Sequence, residues 1–173
     1  EINKQHMLSG KLSHLQQENE NMFLESCYND LVNCNFTIGS LAGYDSSLAK
    51  HFQLDYPAYG VIVFDFPGRP NPASLRQIQD KLKNHFTGLP FVCFLDVKKR
   101  IFIITDSSQK KAFSSAAQDF YRFIQSQIPD VIGGVGLSYP IFDQLNQSYK
   151  EACIALKNHS LVGENLIFYK NLP

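Results

Sequence analysis

The order of patterned segments predicts an α+β protein. The expected plan is a ferredoxin-like (split βαβ) antiparallel sheet with helices on one face, preceded by an N-terminal helix. Three observations carry this. From Tyr59 onward, strand and helix signals run β-α-β-β-α-β-α-β. Two apolar runs in "FVCFLDVKKRIFIIT" meet at a short polar turn, as in a hairpin. The first 33 residues hold no proline and no glycine after Gly10, so they read as helix.

The leading segment, residues 1–34, carries Leu8, Leu12, Leu15 and Met22 at coiled-coil spacing, with Asn19 at the remaining seam position. An asparagine there fixes register in a dimer, so these five residues are the candidate dimerisation seam. The bland alternative is an amphipathic helix packed on its own domain. A second apolar face of Leu24, Cys27, Tyr28 and Leu31 predicts docking onto the globular body. A turn-rich connector, residues 35–58, follows with Gly39 and Gly43, and Asp45 caps a short helix through Phe52.

Residues 59–173 form the main domain. Val61, Ile62, Val63 and Phe64 are continuous and β-branched or aromatic, which reads as a central buried strand. Pro67, Gly68, Pro70 and Pro72 break it. Asn71 caps the next helix with Pro72 at its first position, and Leu75, Ile78, Leu82 and Phe86 form the buried stripe. After the hairpin, Phe113, Ala116, Ala117, Phe120, Phe123 and Ile124 mark a second helix, ended by Pro129. "DVIGGVGLSY" is a strand whose Gly133 and Gly134 leave room for bulky phenylalanines of the preceding helix. A helix capped by Asp143 buries Leu145, Tyr149, Ala152, Cys153 and Leu156, and "NLIFYKNL" is the last strand.

Composition narrows the function classes. Hydrophobic residues make up 44% of 173, enough for a core. Sixteen basic residues balance sixteen acidic ones, which gives no electrostatic support for holding DNA by its phosphates. Any DNA contact is expected through a domain outside these residues. Cys27, Cys34, Cys93 and Cys153 form no CxxC pair and read as reduced thiols of a cytoplasmic protein. The histidines lack zinc-ligand spacing, so no metal and no cofactor are expected. No apolar run reaches about 18 residues, so no membrane contact is expected within the fragment. The chain opens on Glu1 and stops at Pro173, as expected of a piece of a longer protein, either a cytoplasmic regulator or the cytoplasmic part of a membrane-bound one.

The loops offer little catalytic chemistry. Gly133, Gly134 and Gly136 do not complete G-x-G-x-x-G, and no Gly-Lys-Ser/Thr loop exists. Asp65 has two readings. It is a metal ligand for a nucleotide, with Asp96 as second carboxylate, or a strand-end acid capping the Pro67–Gly68 turn, which is the simpler. Lys98, Lys99 and Arg100 form a basic tip, either solvated or attracting an anion. Tyr149 is expected to bury its ring and find a polar partner; Lys150 and Glu151 read as surface charges.

The glycine-rich strand followed by Ser148-Tyr149-x-Glu151-Ala152, Ala155-Leu156 and "LIFYKNL" resembles degenerate GGDEF-like domains of bacterial regulators. These include AraC-type and YesN-type regulators and the sugar-diacid and purine-catabolism regulators. The resemblance implies the nucleotide-cyclase fold. Active members make cyclic di-GMP and carry Gly-Gly-Asp/Glu-Glu-Phe on the turn between the second and third core strands. Here that turn reads Leu95-Asp96-Val97-Lys98-Lys99-Arg100, so cyclase activity is not expected. By position, Asp65 alone matches the metal-binding aspartate of the first strand. The implied function is a non-catalytic regulatory and dimerisation domain relaying a signal to DNA-binding helices outside the fragment. The alternative is a sensor whose old nucleotide cleft holds a small anion, with Asp65, Arg69, Asn71, Asp96, Lys98 and Lys99 as candidate ligand-binding residues.

Overall fold

The computed structural model describes residue 22, residues 24–33 and residues 54–173. Leu8, Leu12, Leu15 and Asn19 of the seam, Cys34, and the short helix expected from Asp45 to Phe52 lie outside the described residues. Met22, the last seam position, is exposed.

A helix, α1 (residues 24–33), precedes the body. The body runs β1 (Tyr59–Asp65), α2 (Pro72–His85), β2 (Phe91–Leu95), β3 (Ile101–Asp106), α3 (Lys110–Gln127) and β4 (Ile132–Val135). A 3-10 turn (Phe142–Gln144) then leads into α4 (Leu145–Lys157), followed by the short α5 (His159–Val162) and β5 (Leu166–Phe168). The strand order is β2-β3-β1-β4-β5. β1 lies between β3 and β4 and is antiparallel to both, and β2 and β3 form the expected hairpin. The first four strands thus sit in the order of a split βαβ unit. β5 adds parallel to β4, so the sheet is mixed rather than purely antiparallel.

Helices cover both faces, where the sequence pattern suggested one. Ile62 and Phe64 of β1 and Ile101 and Ile103 of β3 point toward α2 and α3, against Leu75, Leu82, Ala117 and Phe120. Val61, Val63, Phe102 and Ile104 point the other way, toward Tyr149, Ala152, Ala155 and Leu156 of α4 and Tyr28, Leu31 and Val32 of α1. The physical reason is in the strands themselves. Side chains alternate sides along a strand, so an unbroken apolar run must be covered twice.

Local signals decide the ends. The Asn71 side chain accepts a 2.8 Å bond from the Ser74 amide with Pro72 at the first helical position. The Asp143 cap does not form: α4 begins from the 3-10 turn without a side-chain cap. The β4 glycines do not receive the phenylalanines of α3. Gly133 faces Phe64 of the neighbouring strand. Gly134 and Gly136 instead admit the backbone of α4: a Cβ on either would lie 2.1 Å from the carbonyl oxygen of Ala152 or Ser148. Glycine here brings a helix against a strand at backbone distance.

Candidate functional site

The β2–β3 turn is built around one buried carboxylate. Asp96 Oδ1 accepts the amides of Lys98 and Arg100, each at 2.9 Å. Asp96 Oδ2 accepts Arg100 Nε at 2.7 Å and the Tyr149 hydroxyl at 2.8 Å. The Asp96 side chain has no exposed surface. Arg100 Nη2 also donates to the Tyr149 hydroxyl at 3.1 Å. Burial works against the Arg100 charge, but Asp96, Cys153 and Tyr149 together outweigh that effect, and the guanidinium pKa is raised. Burial, then the Asp96 carboxylate, raises the Tyr149 phenol as well. Asp96, Arg100 and Tyr149 therefore join the hairpin to α4 as one satisfied polar unit.

Above this unit lies a cleft of about 760 Å³. The loop after β1 contributes Asp65, Phe66, Pro67, Arg69 and Pro70, and the hairpin contributes Lys98, Lys99 and Arg100. The far wall is Cys153, Leu156 and Lys157 of α4, with His159 beyond. Among the described residues, Arg69, Lys98, Lys99 and Lys157 are exposed and make no ion pair. Among the described residues, Asp65 is the one carboxylate lining the cleft, and its Oδ1 accepts the Phe66 amide at 2.9 Å. Arg69 and Lys99 hold left-handed backbone, with φ of 47° and 61°. Each closes a turn, through Arg69 N to Phe66 O and Lys99 N to Asp96 O, both at 3.0 Å. Glycine would relieve that strain; a basic side chain stands there instead, in both loops that face the cleft.

A second buried polar group fastens the segment after β4. Ser148 Oγ donates to the Leu137 carbonyl at 2.7 Å and accepts the Val61 amide at 3.0 Å. Glu151 accepts the Leu137 amide at 3.2 Å and the Tyr139 hydroxyl at 2.7 Å. Burial and Glu151 together raise the Tyr139 pKa. The motif Ser148-Tyr149-x-Glu151 therefore supplies three buried anchors. Tyr149 behaves as expected; Glu151, read from the sequence as a surface charge, is 3% exposed.

The family model described as a GGDEF-like domain matches residues 47–157, more than half of the chain. The chain belongs to the GGDEF-like domain family. No curated protein matches it. The match ends with the last residue of α4, so it takes in every side chain of the Asp96 and Glu151 units.

In this GGDEF-like domain, the sequence-predicted ligand residues separate into two groups. Asp65, Arg69, Lys98 and Lys99 meet in the cleft. Asp96 and Asn71 do not line it: Asp96 is sealed beneath the turn, and Asn71 is occupied as the α2 cap. Lys157, His159 and Cys153 were missed, because nothing local links α4 to a hairpin more than fifty residues earlier. Burial raises the Cys153 pKa, so this thiol stays protonated in the neutral range. Among the described residues, no helix is long and apolar enough to cross a membrane.

Proposed function

We propose that this GGDEF-like domain is a non-catalytic regulatory module of a bacterial AraC-type transcription regulator. It self-associates through its leading helix and relays a signal to DNA-binding helices outside the fragment. The sealed Asp96 carboxylate is the observation that carries the non-catalytic part. Metal-assisted phosphoryl transfer draws on carboxylates that face the bound phosphates. Both Asp96 oxygens are already engaged by Arg100, Tyr149 and the turn amides, leaving Asp65 as the cleft's acid. A basic turn also replaces the glycines that would let a triphosphate approach backbone.

Incubation with GTP and magnesium is expected to yield no cyclic di-GMP, and any turnover overturns the reading. Sedimentation is expected to show a dimer that loses association when the first 22 residues are deleted. A chain that stays monomeric at high concentration removes the self-association part.

The cleft supports a second reading, an anion sensor. Among the described residues, four exposed basic side chains without an ion pair converge on it, two of them, Arg69 and Lys99, at left-handed positions. A multivalent anion that binds the folded chain raises its melting temperature, and the rise shrinks with added salt. A thermal-shift series with inorganic pyrophosphate, nucleotides and sugar acids tests this. No shift with any of them at low salt sinks the sensor reading.

A further inference from the structure

β2 is an edge strand, and an edge strand exposes every second residue's amide and carbonyl. Its register shows which ones. The Asp96 amide bonds the Arg100 carbonyl, so Leu95 opposite Ile101 and Cys93 opposite Ile103 point their polar groups to the free edge. Among the described residues, no sixth strand takes them. Gln79 Nε2 of α2 donates to the Cys93 carbonyl at 2.6 Å. From α1, Asn29 Nδ2 donates to the Leu95 carbonyl at 2.9 Å, and Glu25 Oε2 accepts the Leu95 amide at 3.4 Å. Arg76 grips both Glu25 oxygens, at 2.5 and 2.6 Å, and reaches Gln79 at 3.3 Å. Tyr28 stacks on Phe94 with ring centroids 4.4 Å apart.

We infer that α1 is a regulatory strap: by holding Leu95 through Glu25 and Asn29, it sets the Asp96 turn and hence the basic tip of the cleft. This deepens the relay reading and rests on it. Leu95 is the residue before Asp96, and a strand transmits displacement along its backbone with little slack. Hydrogen bonds to Asp96 Oδ1 tolerate shifts of only a few tenths of an ångström before weakening. Undocking α1 therefore loosens the Lys98 and Arg100 amides that this carboxylate holds. Linkage makes the effect reciprocal: whatever steadies the basic tip favours the docked strap.

Amide hydrogen exchange on the whole chain tests the strap. In Glu25→Gln/Asn29→Ala, exchange at residues 24–33 is expected to speed up. The Lys98 and Arg100 amides should follow by at least tenfold, while Val63 and Ile103, whose amides face away from β2, keep their rates. Faster exchange in α1 with unchanged Lys98 and Arg100 overturns the inference. Where the double variant loses its fold, Arg76→Gln replaces it; Arg76 is half-exposed and its loss frees Glu25 without opening the core. If neither variant separates the hairpin from the rest of the sheet, the strap does not exist. Cyclic di-GMP synthesis or a persistent monomer sinks the relay reading without moving these rates. Uncoupled rates sink the strap without touching those assays.

Discussion

Asp96 shows how a single residue changes a site's meaning. In the sequence it stands at a turn among lysines and looks available to a ligand. In the fold it is the buried keystone of the hairpin, with Arg100 across from it and Tyr149 above. Removing one member of a buried, hydrogen-bonded ion pair strands the other. Asp96→Ala is therefore expected to cost about 3–5 kcal/mol in urea unfolding. Tyr149→Phe leaves the pair intact and loses the hydroxyl's two hydrogen bonds, to Asp96 and from Arg100, so its expected cost is about 1–2 kcal/mol. Equal losses for the two variants would contradict this ordering. The Asp96 role was not legible because its partners lie four and fifty-three residues away. Glu151 was legible and was misread. It falls three residues after Ser148 and four before Ala155, so it shares their buried face.

The elements carry the next set of constraints. α4 packs against β1 and β4 and supplies the anchors Ser148, Tyr149 and Glu151. Its close approach depends on Gly134, where a Cβ would meet the Ala152 carbonyl oxygen at 2.1 Å. Gly134→Ala must push the helix off the sheet and is expected to destabilise by about 1–3 kcal/mol, or more if α4 cannot shift. Gly88 has nothing within 4 Å of such a Cβ, so Gly88→Ala is expected to lie within about 0.5 kcal/mol of the parent. Paired thermal melts compare the two. Glycines in "GGVG" read as room for phenylalanines of the preceding helix, and beside Gly134 and Gly136 the α4 backbone occupies that space instead. Element types were legible where periodicity and punctuation agreed, as at Asn71-Pro72 and the Asp96–Lys99 turn. The 3-10 entry to α4 was not, because Asp143 looks like a cap whether or not its backbone lets it serve as one.

At the scale of the whole molecule, the two-sided core sets the response to pH. Burial raises the Cys93 thiol from its ordinary 9.0 to about 12, and it raises Cys153 and Tyr56 as well, Tyr56 to about 12. A raised pKa means that the folded state keeps a proton the unfolded chain releases. The stability from Cys93 is therefore complete below pH 9.0 and is lost as pH climbs toward 12. The slope for one such group is about 1.4 kcal/mol per pH unit within that window. Melting temperature is expected to fall from about pH 9 upward, and Cys93→Val is expected to flatten the first part of the fall. An unchanged alkaline slope in that variant would show that Cys93 ionisation does not contribute.

By itself, the sequence determined the α+β class, the hairpin, most helix boundaries and the basic character of the hairpin tip. These depend on residues near one another in the chain: alternation, caps, prolines and turn chemistry. Tertiary structure decided which faces the helices cover, which carboxylate is sealed, and that Lys157 and His159 share a cleft with Arg69 and Lys99. Those outcomes depend on crossovers that bring distant segments together, and periodicity within a segment carries no record of its neighbour. The continuous apolar runs of β1 and β3 come nearest to an exception, since they required cover on both sides without naming α1 and α4 as the elements to provide it.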